Sequence, residues 1–117
     1  MNIEELRNYC LLKKGTTEEF PFDQVTLAFK VMGKIYALTN LEGDLSINLK
    51  CDPEKAIALR EQNPCVQPGY HMNKMHWNTV QINNDIKPDF LKEMIDHSYE
   101  LVVSKLTKKQ KNELENI

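Results

Sequence analysis

Neither a long apolar run nor a paired cysteine motif occurs in these 117 residues, and both absences narrow the field. A helix that crosses a bilayer needs about 20 apolar residues, which no stretch here approaches. The opening Met1-Asn2-Ile3-Glu4-Glu5 also lacks the basic and apolar regions of an export signal. A membrane or secreted location is therefore not expected, and a cytoplasmic one is. Cys10, Cys51 and Cys65 are odd in number and scattered, which argues against a disulfide framework or a zinc knuckle and for reduced thiols. Glycine and proline, at 4 and 5 residues, are too few for a low-complexity chain. Also missing are a glycine-rich phosphate loop, a paired-acid motif and a third group to orient a cysteine and a histidine as nucleophile and base. No enzymatic activity and no cofactor are expected. An excess of positive charge is absent too: the net charge is −2 and the pI about 5.9, whereas strongly basic nucleic-acid domains commonly lie above about 9.

What is present is a composition close to the globular average, with 41% hydrophobic and 27% charged residues, in a length that suits one domain over residues 1–117. The charge is uneven. Acidic residues are absent from Gln24 to Leu41 and from Gln62 to Asn84, and those stretches carry Lys30, Lys34, His71, Lys74 and His76.

Periodicity predicts the order α-β-β-β-α-β-α-α. Asn2 and Glu5 have capping-box spacing ahead of Ile3, Leu6, Tyr9 and Cys10, and Lys13-Lys14-Gly15 suits a helix end. Thr16 to Asp23 reads as a loop that lays Phe20 and Phe22 onto the core. From Val25 the period becomes two, which predicts a strand, a turn at Gly33, a second strand from Ile35 to Leu38 and a third over Leu45 to Lys50. Asp52-Pro53 opens a short helix. Cys65 to Lys74 reads as an ordered loop, and His76 to Ile82 as a fourth strand. Pro88 opens the longest helix, with Leu91, Met94, Ile95, Ser98, Leu101, Val102 and Lys105 on or beside one stripe, and Thr107 with Gln110 caps a last one. Helices before and after antiparallel strands predict an α+β sandwich with one sheet face covered and the other free.

The segment Pro68-Gly69-Tyr70-His71-Met72-Asn73-Lys74-Met75-His76-Trp77, with Ser98-Tyr99-Glu100-Leu101-Val102 in the long helix, closely resembles the MmcQ/YjbR family of small bacterial proteins. Phe29-Lys30-Val31, Gly33-Lys34 and Pro53-Glu54-Lys55-Ala56 also match that family's pattern. The resemblance implies a CyaY-like, frataxin-like antiparallel sheet packed against N- and C-terminal helices, and a DNA-binding protein.

The residues supply a compatible feature. Tyr70, His71, Lys74, His76 and Trp77 fall within eight positions free of carboxylates, and lysines neutralise phosphates while flat rings stack on bases. Lys30 and Lys34 would extend that surface. The plainer readings are that the rings belong to the core, that the histidines make ordinary hydrogen bonds, and that the lysines protect strand edges. Cys65, His71 and His76 are too irregularly spaced for a zinc motif, and the first helix offers only Glu4 and Glu5 for a frataxin-like acidic ridge, so no metal site is expected. Lys105, Lys108, Lys109 and Lys111 read as a solvated helix face, with phosphate contact the minor alternative. The expected activity is weak, salt-sensitive DNA binding by a monomer. The alternative is a non-enzymatic adaptor that meets a protein partner on the open sheet face.

Overall fold

A computed structural model describes residues 1–69 and 72–117. The elements are α1 (Ile3–Leu11), β1 (Thr16–Glu19), β2 (Thr26–Val31), β3 (Lys34–Asn40), β4 (Ser46–Lys50), α2 (Pro53–Gln62), β5 (Val66–Pro68), β6 (Trp77–Gln81), α3 (Pro88–Ser104) and α4 (Lys108–Glu115). The strands form one six-stranded antiparallel sheet in the order β1-β2-β3-β4-β6-β5. The α+β class and the order of the helices agree with the sequence.

Local chemistry sets the helix starts. Asn2 and Thr107 each complete a capping box, and Asp52 caps α2 ahead of Pro53, so orphan N–H groups of the first turns have acceptors. The start of α3 has proline in its first turn and no side-chain cap. Lys13 and Lys14 lie beyond the last residue of α1 rather than inside its final turn. Lys13 instead pairs with Asp96 of α3, which also accepts the Tyr9 hydroxyl at 2.5 Å. Tyr99 donates to the Lys14 carbonyl. These links fasten α1 and its C-terminal turn to α3.

Two strands occupy segments that the sequence presents as loops. β1 is an edge strand of polar residues with no alternation of apolar side chains to announce it, and β5 is three residues long with only Val66 buried. Phe20 and Phe22 are not laid onto the core: they are 48% and 69% exposed, because β1 ends at Glu19 and the β1–β2 connection runs outside the sheet.

One face of the sheet carries Phe29, Val31, Ala37, Ile47, Leu49 and Val80, all buried, and meets Leu6 and Cys10 of α1 and Leu91, Ile95 and Val102 of α3 in one core. At Phe29/Lys30 the β2–β3 register shifts, so Tyr36 has no directly opposed partner and turns into this core, edge-on to Tyr99 at 5.3 Å. Paired register between β3 and β4 stops at Ala37 opposite Leu49. Beyond it, fully buried Ser98 accepts from the Lys50 N–H at 2.9 Å and donates to the Tyr36 carbonyl at 2.6 Å. A helix side chain thus replaces a ladder bond. No helix among the described residues is long and apolar enough to cross a membrane.

Candidate functional site

The other sheet face is defined by register, since residues opposed in neighbouring strands share a face. It holds three rows. At one end are Thr26, Asn40, Ser46 and Gln81; in the middle Glu19, Ala28, Leu38, Asn48, Thr79 and Gln67; at the far end Thr17, Lys30 and Ile35, with Lys50 opposite Trp77. Successive rows are about 7 Å apart, two residues along a strand.

This face is not bare. Ala28 and Leu38 are buried on it, and over its first two rows lies a cavity of about 440 Å³. Phe22 and Asp23 from the β1–β2 connection and Met72 from the β5–β6 connection wall the cavity, with Leu38, Asn48 and Thr26 among its floor residues. Asp23 is fixed by its own backbone. Its carboxylate accepts from the N–H groups of Val25 and Thr26 and from the Thr26 hydroxyl, which hold its pKa below the usual carboxylate value. Asn48 accepts the Thr79 hydroxyl through Oδ1. Its Nδ2 has no partner among the described residues and is a donor at the cavity floor.

Charge divides the face from end to end. The loops beyond the first row carry exposed Asp23, Glu42, Asp44 and Asp85. Around the opposite end a hollow of about 280 Å³ is lined by Lys34, Lys50 and Lys105 with Ile35 and Val102. It contains no carboxylate, and none of its three lysines has an ion-pair partner among the described residues. The hollow lies where β3 and β4 part and Ser98 bridges them. A chain with a net charge of −2 therefore keeps a local cationic end.

The residues singled out in the sequence fall around this end to differing degrees. Lys34 lines the hollow. Trp77 is half-buried on the open face, opposite Lys50. Lys30 is on the same face, but it is paired with Glu19 of β1, and this ion pair offsets its charge. Lys74 is exposed on the turn that leads into β6, and Arg60 donates to its carbonyl at 3.4 Å. His76 is fixed by its backbone, which donates to Asn73 and accepts from Cys51. Tyr70 and His71 lie outside the described residues. The metal reading of Cys65, His71 and His76 requires one of them, and among the described residues no three metal-ligating side chains come together.

Lys50 and Asn48 escaped the sequence reading, which took Phe22 for a core ring and Lys105 for part of a solvated helix face with phosphate contact only as the minor alternative. Only strand register puts Lys50 beside Trp77, and only the docking of α3 brings Lys105 to Lys34. Ser98-Tyr99, by contrast, has the packing role that its place in the helical stripe suggests: Ser98 joins β3 to β4, and Tyr99 abuts Tyr36.

Comparison with known proteins gives a consistent result. Residues 11–101 match the family model YjbR. The protein YjbR of Escherichia coli K12 is 31% identical over 112 residues, covering 95% of both chains, and YbdF of Escherichia coli O157:H7 is 41% identical over 91 residues, 77% of this chain and 75% of that one. The crystal structure of a Deinococcus radiodurans protein with a DUF419 domain superposes with a TM-score of 0.91 at 40% identity, over 97% of this chain and 88% of the other. The chain belongs to the YjbR family, the MmcQ/YjbR family that its Tyr70–Trp77 and Ser98–Val102 segments resemble.

Proposed function

We propose that this protein is a non-enzymatic nucleic-acid-binding module, with DNA as the ligand, acting in the cytoplasm as a monomer. The observation that carries this reading is the carboxylate-free hollow of Lys34, Lys50 and Lys105, of which Lys50 is opposed to Trp77 across the β4–β6 pair. Unpaired ammonium groups suit phosphates, and a ring beside them suits a base or sugar. The acidic loops at the other end of the face repel a polyanion, so they orient the strand as well as weaken it. Three phosphate contacts give a salt slope of about −0.9 each, hence roughly a 40-fold loss of affinity between 50 and 200 mM salt. We also read the layering as CyaY-like, supported by N- and C-terminal helices on one face of an antiparallel sheet.

The test is fluorescence anisotropy of a labelled oligonucleotide at several salt concentrations. The triple variant Lys34→Gln, Lys50→Gln, Lys105→Gln should bind at least tenfold more weakly with a slope near zero. A control triple on α4, Lys108→Gln, Lys109→Gln, Lys111→Gln, removes the same charge from residues that do not line the hollow. Equal losses in the two triples would reduce the effect to net charge and refute the site. Exposed Phe20 and Phe22 support a second reading, a protein partner on the same sheet face. That reading predicts binding that is insensitive to salt and to nuclease.

A further inference from the structure

We infer that the cavity on the open sheet face receives one unstacked nucleobase, so that the ligand is a single strand rather than a duplex. This rests on the nucleic-acid reading above and names its substrate class. A volume of about 440 Å³ lies within the range of roughly 300–1,000 Å³ typical of small-ligand sites, and the walls suit a flat heterocycle. Phe22 is 69% exposed, an aromatic ring held at the mouth of a cavity where it covers little of the core. Met72 stands among the other walls, and Leu38 supplies an apolar floor. A thioether packs well against aromatic edges. The one uncommitted side-chain donor among the described lining residues, Asn48 Nδ2, requires an acceptor such as a ring carbonyl or ring nitrogen. Thr26 and Ser46 hydroxyls already donate to Asp23 and Asn40, which leaves their oxygens to accept from an exocyclic amine.

The position of the cavity fits a nucleotide as a unit. Asn48 and Lys50 are two residues apart on β4, about 7 Å along one face, so a base above Asn48 puts its phosphate toward Lys50 and the hollow. The next base along the strand would meet Trp77, which is opposite Lys50. A duplex cannot use the cavity without extruding a base, which costs several kcal/mol of stacking and pairing. The acidic loops also lie at the cavity end, where a base is tolerated and a second backbone is not.

Labelled single-stranded and duplex oligonucleotides of one sequence provide the test, in 50 mM salt, against the wild type and the variants Phe22→Ala and Asn48→Asp. Phe22 is a surface ring, so its removal leaves the fold in place, and Asn48→Asp keeps the acceptor for Thr79 while deleting the donor. The expected result is single-strand binding at least tenfold tighter than duplex binding, weakened about fivefold or more by each variant, with duplex binding unchanged in Phe22→Ala and weakened less than single-strand binding in Asn48→Asp, whose added carboxylate repels both forms. Equal affinity for both forms, untouched by either variant, would overturn the base-binding cavity while leaving the lysine hollow as a duplex contact. No binding of either form by the wild type would overturn the nucleic-acid reading and this inference together.

Discussion

Removing the Ser98 hydroxyl should destabilise the protein by about 2 kcal/mol, although Ser98→Ala takes away a single oxygen. That oxygen is fully buried and completes two backbone groups, the Lys50 N–H and the Tyr36 carbonyl, where the β3–β4 ladder has already parted. An intramolecular hydrogen bond contributes about 1 kcal/mol net, and a buried group left unsatisfied costs about 1–3 kcal/mol. The Lys50 N–H is only partly buried and regains some hydration, which keeps the sum near the lower end. For a chain of this size 2 kcal/mol corresponds to a fall in Tm of roughly 8 °C. Urea unfolding followed by circular dichroism should show a lower midpoint with an unchanged m-value, because the exposed area is the same. A shift below about 0.5 kcal/mol would mean that β3 and β4 close the gap themselves, and that the hydroxyl is not what holds Lys50 in place.

Three further outcomes follow from the packing and the titrating groups. The pKa of His97 is lowered in the folded state, first by burial and then by the Lys55 charge, and its Nε2 accepts the Asp52 N–H at 3.2 Å. The unfolded chain therefore binds the proton more tightly, so stability present above about pH 6.5 is lost as the pH falls below it; His97→Gln should flatten the unfolding midpoint between pH 7 and 5.5, and an unchanged slope would refute the assignment. At Gly69 an added Cβ would meet the Trp77 Cβ at 2.8 Å and its carbonyl oxygen at 3.0 Å, so Gly69→Ala should cost about 1–3 kcal/mol and shift Trp77 emission, whereas a wild-type spectrum and midpoint would contradict the contact. Burial raises the Cys10 thiol to about 12, while Cys65 is only half-buried; in native protein Ellman's reagent should label Cys65 first and Cys10 only on unfolding, and rapid labelling of Cys10 would show that the α1 interface opens readily.

How much of this was legible in the chain depends on whether the signal is local. Capping boxes at Asn2 and Thr107 and the Asp52-Pro53 start are short-range chemistry, and each helix begins where those residues put it. Strong alternation likewise gave β2 and β4. β1 and β5 were missed because edge strands need few apolar residues: Thr16-Thr17-Glu18-Glu19 is held by pairing with β2 rather than by burial of its own side chains. Phe20 and Phe22 misled because aromatic rings in a loop usually pack inward, whereas this loop passes outside the sheet. At the candidate site the sequence pointed to Trp77 and Lys34 but not to Lys50, and offered Lys105 only within a basic helix run, since a neighbour across two strands or from a distant helix leaves no trace in spacing. Lys30 could not be discounted from composition alone, as its partner Glu19 is placed by the β1–β2 register, with Thr17 directly opposite Lys30.

Trp77 is the sole tryptophan, so its emission reports directly on whether nucleic acid reaches the face that it shares with Lys50. Titration with an oligonucleotide in 50 mM salt should quench that emission, added salt should restore it, and Lys50→Gln should weaken the response severalfold. Unaltered emission at saturating oligonucleotide, or quenching equally strong in Lys50→Gln, would contradict the account.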